Sequence, residues 1–431
     1  MPGAIGRLIP SKCLNQPVNA FTCIDHRKTS SSPNWIFSSI HIQQVDREFS
    51  REVMIIFFIR SREKTPIETI KDELKVKMKK SAIIDTNTLT KEEQGLLEKI
   101  RKNTSQLNQN NVTRTKAYFD VYQQHPEIHW AFLGHMVSRN GGWNMTDLKG
   151  DFLTRLLTKK ERNDFFAFLE RGNWLIFQDA YPQFLLYSES IKRKKPLFYL
   201  LPYLNISIFM ETIWNYFWRK SDSNILTIAL VINEQNYLEK RVIQNPIYQK
   251  GVLNTLEFKL QDVLSFNHIL FPYRKKSLAG QTLHQFQSLH ERILLGKRLY
   301  AVLFQKKELV NQFVQWAKVH HHTGSRKDYW PHIFNNVNEG IPGIPYQLRL
   351  NACKLKWGAR KIYSPDLPSA WKNVHHQDAE KGDWFSDWQI ADYLSDHNET
   401  QITGEIEYEY CKTLERLELA ALAKKVITIF D

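Results

Sequence analysis

The stretch that decides the fold is residues 125–150, HPEIHWAFLGHMVSRNGGWNMTDLKG. Pro126 suits the first position of a helix, and apolar residues recur after it at helical spacing. Glycine tolerates the left-handed conformation that often closes a helix, so Gly141-Gly142 predicts a helix end. Asn144 then predicts a new helix start, with Asp147 three residues on as an acidic capping partner.

Helical periodicity extends outward from this stretch in both directions. Upstream, Thr90-Lys91-Glu92-Glu93 predicts a helix start, because acidic residues favour the first turn. The predicted helices downstream are Lys160–Ile191, Ile206–Arg219, Asn224–Ile243, Thr255–Leu270, Leu283–Phe304 and Lys307–His320. Gly404–Tyr410 alternates like a strand, although its neighbours favour a helix. The predicted fold class is therefore mainly α: a large multi-helix, bundle-like domain with an irregular C-terminal region.

Composition divides the chain into four parts. Residues 1–53 show no sustained period and are interpreted as a poorly structured extension, with Met54 as an alternative translation start. Residues 54–89 form a basic amphipathic lead, which fits a solvated helical arm or a helix on a membrane surface. Residues 90–330 form the helical body. Residues 331–431 are predicted to be a loop-rich acidic region that ends in a helix.

The charge of the chain is strongly positive but unevenly spread. The formal net charge of the 431 residues is +14. Residues 111–330 carry 30 Lys and Arg against 18 Asp and Glu, whereas residues 331–431 carry 11 against 15. A basic body is compatible with nucleic acid or an anionic membrane surface as a partner, and more commonly reflects solubility alone.

Several kinds of site are excluded by motif. The chain has no P-loop, dinucleotide-binding, H-E-x-x-H or G-x-S-x-G motif, and no Glu-x-x-His of the kind that di-iron bundles need. Its four cysteines, Cys13, Cys23, Cys353 and Cys411, form no C-x-x-C pair. Neither a disulfide framework nor a zinc cluster built on thiolates follows from this pattern, no metal ligands are assigned, and a reducing interior fits it best. We expect a cytoplasmic protein, since no segment fits a signal peptide or a membrane span.

The 125–150 stretch also predicts a site. His129 and His135 lie about 120° apart around a straight helix, so they do not chelate one ion together. Their apolar neighbours favour buried imidazoles. In the functional interpretation, one imidazole acts as a general base. Arg139 then binds a carboxylate or phosphate through its planar fork, with Ser138 and Asn140 beside it.

Three further carboxylates lie within apolar helical segments, namely Asp179, Glu211 and Glu234. A charge on an apolar face is costly unless it is paired. The three groups therefore either project toward solvent, which is the commoner outcome for Glu, or meet His129, His135, Arg139 or one another in a buried polar cluster. An enzyme that uses His129, His135, Arg139 and Asp179 requires these four side chains to share one cleft.

A second predicted site lies at residues 318–330. Three consecutive histidines point in different directions there, and Gly324 closes the preceding helix. Ser325, Arg326 and Lys327 offer donors and positive charge to an anion, although a solvated basic loop is the commoner case. The predicted ligand-binding residues are Ser138, Asn140, Asp147, Ser325, Arg326 and Lys327.

Five runs in the chain have the length of family motifs. They are His129-Trp130, residues 135–150, residues 172–182, Glu234–Tyr237 and residues 323–331. These runs resemble an uncharacterised family of spore-forming bacilli, the YppC-like proteins, over roughly residues 90–390. The resemblance implies a grouping and brings no assigned activity. Residues 1–53 fall outside it.

Two classes of function follow from these features. The leading hypothesis is a cytoplasmic enzyme whose polar pocket acts on a small anionic or phosphate-containing substrate. The alternative is a non-enzymatic module that binds nucleic acid or an anionic membrane through its basic face, or a structural or interaction protein. The sequence identifies neither a cofactor nor an oligomeric state.

Overall fold

A computed structural model of the protein describes residues 64–79, 88–255, 258, 268–274, 276–340, 346–395 and 404–430. All of them belong to one compact unit, Lys64–Asp431. The extension expected at residues 1–53 lies outside the described residues, and so does the alternative start at Met54.

The fold is mainly α, as predicted, and its C-terminal region is irregular. The helices are α1 Pro66–Lys79, α2 Lys91–Leu107, α3 Asn111–Gln124, α4 His129–Asp147, α5 Leu153–Leu156, α6 Lys159–Arg193, α7 Ile208–Lys220, α8 Ser223–Leu238, α9 Pro246–Tyr248, α10 Leu289–Phe304, α11 Lys307–Val319, α12 Leu367–Ala370 and α13 Glu407–Phe430. Short 3₁₀ turns and π-helical turns connect several of them. None of the helices in the described residues is long and apolar enough to cross a membrane.

The strands form small two-stranded sheets. β1 (His268–Pro272) pairs with β2 (Leu278–Thr282) in antiparallel fashion. The remaining strands are β3 Phe334–Asn335, parallel to β6 Ile362–Tyr363, and β4 Leu350–Asn351, antiparallel to β5 Lys354–Leu355.

Local capping explains several helix starts. The Thr90 hydroxyl accepts a hydrogen bond from the Glu93 backbone N–H, and the Glu93 carboxylate accepts one from the Thr90 backbone N–H. Thr158 and Glu161 form the same capping box at the start of α6. Each box satisfies donors that the first turn of a helix leaves without an intrahelical partner.

The central helix, α4, runs straight through Gly141-Gly142, so the predicted helix end there was wrong. A Cβ added to Gly142 would lie closer than 3.0 Å to Asn111 Oδ1 and to His322 Nε2. The glycine therefore lets two side chains approach the helix closely and does not close it. The predicted second start at Asn144, with Asp147 as its capping partner, was wrong for the same reason.

The core is built around α4, which packs against α3, α6, α8, α10 and β1. Its largest buried side chains are aromatic: Trp130, Phe132 and Trp143 are each at most 2% exposed. Burying a side chain of this size stabilises the fold by about 1.5–3 kcal/mol. The aromatic side chains of α4, which point to more than one side of the helix, thus contribute strongly to the packing of the other elements around it.

The predicted helix Thr255–Leu270 was wrong at its end, because its last residues belong to β1. The side chain of Asn140 on α4 holds this strand: Asn140 Nδ2 donates to Leu270 O at 2.9 Å, and Leu270 N donates to Asn140 Oδ1 at 2.8 Å. The Asn140 side chain therefore makes the pair of hydrogen bonds that the backbone of a neighbouring strand would make. Local sequence does not reveal this role.

The basic lead contains α1, whose Ile70 and Leu74 are fully buried. This face packs against α7 and the 3₁₀ turn Trp388–Leu394. Lys77 on α1 pairs with Glu211 on α7 at 2.7 Å. The apolar face of α1 is therefore used inside the molecule.

Cys353 and Cys411 form a disulfide, with their Cα atoms 5.3 Å apart. The sequence analysis did not predict this bond, and the reducing interior that it favoured is not the usual setting for one. The two cysteines are 58 residues apart in the sequence, and no spacing rule joins them. The bond connects the β4–β5 hairpin to α13.

Candidate functional site

His135 and Arg139, one turn apart on α4, contact each other. Arg139 Nε donates to His135 Nε2 at 3.0 Å, so the imidazole proton is on Nδ1, which donates to Thr115 O at 2.8 Å. Burial, followed by the charge of Arg139, lowers the pKa of His135 well below its usual value. Arg139 also donates to His320 O at 2.5 Å and lies over the Trp316 ring. The pair therefore connects α3, α4 and the end of α11.

His129 lies elsewhere on α4 and contacts α10. Its Nδ1 is 2.9 Å from the Tyr300 hydroxyl, and its ring stacks on Phe304 with centroids 4.3 Å apart. Burial lowers its pKa, so the imidazole is neutral near pH 7. These contacts are those of a packed aromatic residue.

The three carboxylates of the apolar helices have three different environments. Asp179 accepts hydrogen bonds from Asn233 and from Gln183, the latter at 3.0 Å, and burial raises its pKa to about 7. Glu211 pairs with Lys77 at 2.7 Å. Glu234 lines a cavity. The same sequence pattern therefore led to a buried amide cluster, an ion pair and a cavity wall.

The loop after α11 serves as internal scaffold. Arg326 Nε donates to the two carboxylate oxygens of Asp147 at 2.9 and 2.8 Å. Its Nη1 donates to the hydroxyls of Tyr329 and Tyr410 at 2.7 and 2.9 Å, and its Nη2 donates to Asn144 Oδ1 at 3.2 Å. Arginine has five N–H donors on three nitrogens, and each of the three nitrogens of Arg326 donates to a partner within the protein.

The Asp147–Arg326 pair is charged. Burial raises the pKa of Asp147, whereas the pKa of Arg326 lies well above its usual value: burial lowers it, and Asp147 outweighs that effect. Both groups are charged in the folded protein, because contacts of 2.6 to 2.9 Å join them. Arg326 therefore offers no free positive charge to a ligand.

The other two residues of this predicted anion site have protein partners as well. Ser325 is fully buried, and its hydroxyl donates to Ser364 O at 2.6 Å. Lys327 Nζ donates to Asn336 Oδ1 at 2.9 Å.

A chain of polar side chains crosses α4 at Gly142. His322 Nε2 donates to Asn111 Oδ1 at 2.8 Å, and His322 Nδ1 lies 3.4 Å from Asp328 Oδ2. Asn111 Nδ2 in turn donates to Ser138 O at 2.8 Å and to Asn173 Oδ1 at 3.1 Å. We call Asn111, Ser138, Asn173, His322 and Asp328 the Gly142 crossing. The hydrogen bonds of Asn111 fix the positions of Ser138 and Asn173, which line the cavity described next.

The central cavity, of about 240 Å³, lies between α4, α6, α8 and α10. Its walls are mainly apolar, and its polar members are Tyr118, Ser138, Asn140, Asn144, Asn173, Glu234, Gln235 and Arg292. Concave, mainly apolar sites with a few converging polar groups are typical of small-molecule binding.

Glu234 is the acidic group of this cavity. Gln235 Nε2 donates to Glu234 Oε1 at 2.8 Å. Burial raises the pKa of Glu234 to about 8, against the effect of the Gln235 hydrogen bond, and the charge of Asp179 adds to the rise. The carboxyl therefore carries a proton at neutral pH.

Two neighbours complete the polar part of the central cavity. The Tyr118 hydroxyl is buried and has no hydrogen-bond partner in the described part of the chain. Burial, followed by the charge of Glu234, raises the Tyr118 pKa well above its usual value. Arg292 pairs with Glu239 and donates to Gln235 Oε1 and Phe286 O at 2.9 and 2.7 Å. The described walls thus offer neutral hydrogen-bonding groups and no unpaired cation.

A second cavity, of about 160 Å³, shares Asn144 and Phe286 with the central cavity. We call it the C-terminal cavity because α13 supplies part of its wall. Its aromatic members are Phe152, Phe165, Phe168, Phe258, Phe286, Phe334, Tyr363 and Tyr410. His268 also lines it, and both ring nitrogens of His268 contact threonine hydroxyls, at 2.6 and 2.9 Å. Burial lowers the pKa of His268 to about 4.

The comparisons with known proteins identify the family. Residues 106–411 match the family model described as a protein of unknown function, DUF2515. The chain belongs to this family. The uncharacterized protein YppC of Bacillus subtilis (strain 168) is 40% identical over 291 residues, which are 67% of this chain and 83% of YppC. No solved structure matches the chain.

The DUF2515 region contains the whole central cavity, from Tyr118 to Leu299. Of the predicted site residues, Ser138, Asn140 and Glu234 line this cavity, and Asp147 and Arg326 line the C-terminal one. Sequence reasoning missed Tyr118, Asn144, Asn173 and Arg292. Asn144 and Asn173 stand within the runs that carried the resemblance, which was the one signal that pointed to them.

Proposed function

We propose that the protein is an enzyme that binds a small, uncharged and largely apolar substrate in the central cavity and transfers a proton through Glu234. The observation that carries this proposal is the Tyr118 hydroxyl, which is buried without a partner among the described residues and lines the same cavity as Glu234, whose pKa burial raises to about 8. A buried hydroxyl without a partner calls for an explanation, and a ligand atom is one.

The pKa of Glu234 supports a role in acid–base chemistry. A group transfers protons best when its pKa lies near the working pH, and the pKa of Glu234 is about 8. In this scheme Glu234 donates its proton to a substrate oxygen or nitrogen. The Tyr118 hydroxyl makes a hydrogen bond to the same part of the substrate and orients it.

The proposal departs from the anionic substrate expected from the sequence. Arg292 is neutralised by Glu239, and Arg326 by Asp147. An anion in the central cavity would meet no unpaired cation among the described residues. It would also lie beside a carboxyl that ionises above about pH 8. An uncharged substrate avoids both costs.

The test is substrate depletion from a small-molecule extract of the source cells, followed by mass spectrometry. We expect the wild-type protein to consume at least one compound, and Glu234→Gln to consume it about 100-fold more slowly. Glu98→Gln is the matched control, since Glu98 is exposed on α2. Equal consumption by Glu234→Gln and the wild type, or no consumption by any of the three proteins, would contradict the proposal.

The proposal includes a cytoplasmic location. Cell fractionation tests this part, and the Cys353–Cys411 bond makes the test a demanding one, because disulfides are rare in a reducing compartment. We expect the native protein in the cytoplasmic fraction, with Cys353 and Cys411 recovered as a bonded pair by peptide mapping without reduction. Recovery of the protein from an extracytoplasmic fraction would contradict this location.

The binding alternative rests on the net charge of +14. Many cations of the body are paired, for example Lys116 with Asp120 and Arg219 with Glu73. If the basic face is nevertheless the functional surface, the protein will be retained on DNA, RNA or anionic vesicles at low salt and released steeply as salt rises. Absence of retention at low salt would end this alternative.

A further inference from the structure

One tryptophan of the chain lies fully in solvent. Trp357 is 103% exposed, whereas the other tryptophans of the described residues are buried or half-buried. A single exposed apolar side chain is not a site by itself. The surroundings of Trp357 therefore decide what its exposure means.

Trp357 lies at the apex of a β-turn. Ala359 N donates to Lys356 O at 2.9 Å, and Gly358 has a φ of +74°. This is the geometry of a type II turn, in which the third position needs a positive φ and glycine adopts it without steric cost. Trp357 occupies the second position of the turn.

Both sides of this turn are fixed to the rest of the molecule. On its N-terminal side, the Cys353–Cys411 disulfide joins the β4–β5 hairpin to α13, and Lys356 N donates to Arg349 O at 2.7 Å. On its C-terminal side, β6 pairs with β3. The fold therefore holds the Trp357 ring in solvent.

Four exposed cations surround the turn, and none of them forms an ion pair with a carboxylate in the described part of the chain: Lys354, Lys356, Arg360 and Lys361. Two of them donate to backbone carbonyls, Arg360 to Glu339 O and Lys361 to Pro331 O. Residues 349–363 contain no Asp or Glu. We call residues 354–361 the Trp357 tip.

The Trp357 tip differs in charge from the region that contains it. Residues 331–431 carry 11 Lys and Arg against 15 Asp and Glu, yet four of these cations and none of these acids are in residues 354–361. The basic composition of the helical body therefore does not account for the cluster.

Unpaired cations around an exposed indole match the surface of an anionic bilayer. Cations are attracted to anionic lipid headgroups, and tryptophan is enriched at the interface between membrane and water. Single-stranded nucleic acid, by contrast, is bound in a groove where successive bases stack on aromatic rings. Residues 349–363 contain one other aromatic residue, Tyr363, which lines the C-terminal cavity. A single apical ring therefore favours lipid.

We infer that the Trp357 tip attaches the protein reversibly to a membrane surface that contains anionic phospholipid. The indole lies at the level of the headgroups, and the four cations contact phosphates. This inference does not rest on the chemistry proposed for Glu234. It also concerns a different surface from the basic body.

The experiment measures cosedimentation of the full chain with vesicles at low salt, made either of phosphatidylcholine alone or of phosphatidylcholine mixed with phosphatidylglycerol. We expect binding to the mixed vesicles, weakening as salt rises. Trp357→Ala loses the apolar ring and is expected to bind about tenfold more weakly. Ile247→Ala is the matched control, because Ile247 is 76% exposed on α9 and lies outside the tip. It is expected to bind like the wild type.

The charges are tested separately. Lys354→Gln with Lys356→Gln removes two cations of the tip, and each cation near an anionic surface raises affinity about fivefold, so binding is expected to fall about 25-fold. Lys91→Gln with Lys102→Gln removes two exposed lysines of α2 and is the matched control, with binding close to that of the wild type. All of these side chains are exposed, so the urea midpoints of the variants are expected to equal that of the wild type.

Several results would overturn the inference. Equal binding to the two kinds of vesicle, or no binding to the mixed ones at low salt, would exclude an anionic membrane. Wild-type binding by Trp357→Ala, or equal losses in the two lysine pairs, would exclude the tip. Binding of a single-stranded oligonucleotide that needs Trp357, without binding to vesicles, would make nucleic acid the partner. The depletion assay with Glu234→Gln decides the proposed function independently.

Discussion

The two faces of α4 use their polar side chains in opposite ways. On one face, His135 and Arg139 bind each other and backbone carbonyls, and Gly142 admits Asn111 and His322. On the other face, Gly141 and Asn144 open onto the central cavity. The face with the greater density of ionisable groups is the packed one. On α4, therefore, most ionisable residues lie where other elements pack against the helix. The candidate site lies on the other face.

The largest expected effect comes from breaking the Asp147–Arg326 pair at the end of α4. Arg326→Met leaves the Asp147 carboxylate without its partner in a mostly buried place, so we expect a loss of about 3–5 kcal/mol in the free energy of unfolding. Urea denaturation measures it. The double variant Asp147→Asn with Arg326→Met removes both charges and is expected to regain part of the loss. A loss below about 1 kcal/mol in Arg326→Met would show that the pair contributes little to the stability of the fold.

The next effect tests the close approach at Gly142. Gly142→Ala forces its Cβ against Asn111 and His322, so we expect a loss of about 3 kcal/mol from overpacking and lost hydrogen bonds. Gly95→Ala is the matched control, since a Cβ there would meet nothing within 4 Å. In the interior of a helix that change is expected to stabilise by about 0.5–1 kcal/mol. Similar unfolding midpoints for the two variants would refute the role of Gly142.

A pH-dependent effect is expected on the open face. The pKa of Glu234 rises from 4.5 to about 8 on folding, so the unfolded chain loses this proton first as the pH rises. Folding stability therefore falls as the pH rises from about 4.5 to about 8 and is level above that range. Glu234→Gln cannot ionise and is expected to exceed the wild type by up to about 4 kcal/mol at pH 9, with little difference at pH 5.

Thermal or urea unfolding across this pH range measures the difference. Asp179, whose pKa is about 7, is present in both proteins, so its contribution largely cancels. A difference that does not change between pH 5 and pH 9 would mean that the Glu234 carboxyl is not protonated in the fold.

The smallest effect is expected at His129. His129→Phe loses the contact with Tyr300 and keeps the stacking on Phe304, so we expect a change of about 0.5–1 kcal/mol in unfolding free energy. Substrate depletion is expected to stay at the wild-type rate. Loss of depletion with unchanged stability would return His129 to the list of catalytic candidates.

The sequence was sufficient where structure is set locally. The start of α2 at Thr90 and the long helix α6 follow from caps and apolar periodicity, which act over a few residues. It was insufficient where a partner is remote. Asp147 and Arg326 are 179 residues apart, and Asn111 and His322 are 211 apart. Helical periodicity contains no information about such distant pairs, so the sequence analysis interpreted Gly142 as part of a helix end.

The candidate site was predictable only in part, for a related reason. Asp179, Glu211 and Glu234 present the same pattern, a carboxylate in an apolar helix. Which of them faces a cavity depends on how the helices pack, and only Glu234 was placed there among the three. Tyr118 carried no signal at all, because an aromatic residue on an apolar helical face usually belongs to the core.

The close approach of Asn111 and His322 to α4 at Gly142 has an evolutionary consequence. Since this position, Asn111 and His322 occupy one small volume from three distant parts of the chain, a change at any of them alters what the other two can be. Within the DUF2515 family, a homologue with a bulkier residue at the glycine position is expected to carry a compensating replacement of the asparagine or the histidine. Substitutions at the three positions are then expected to be correlated across the family.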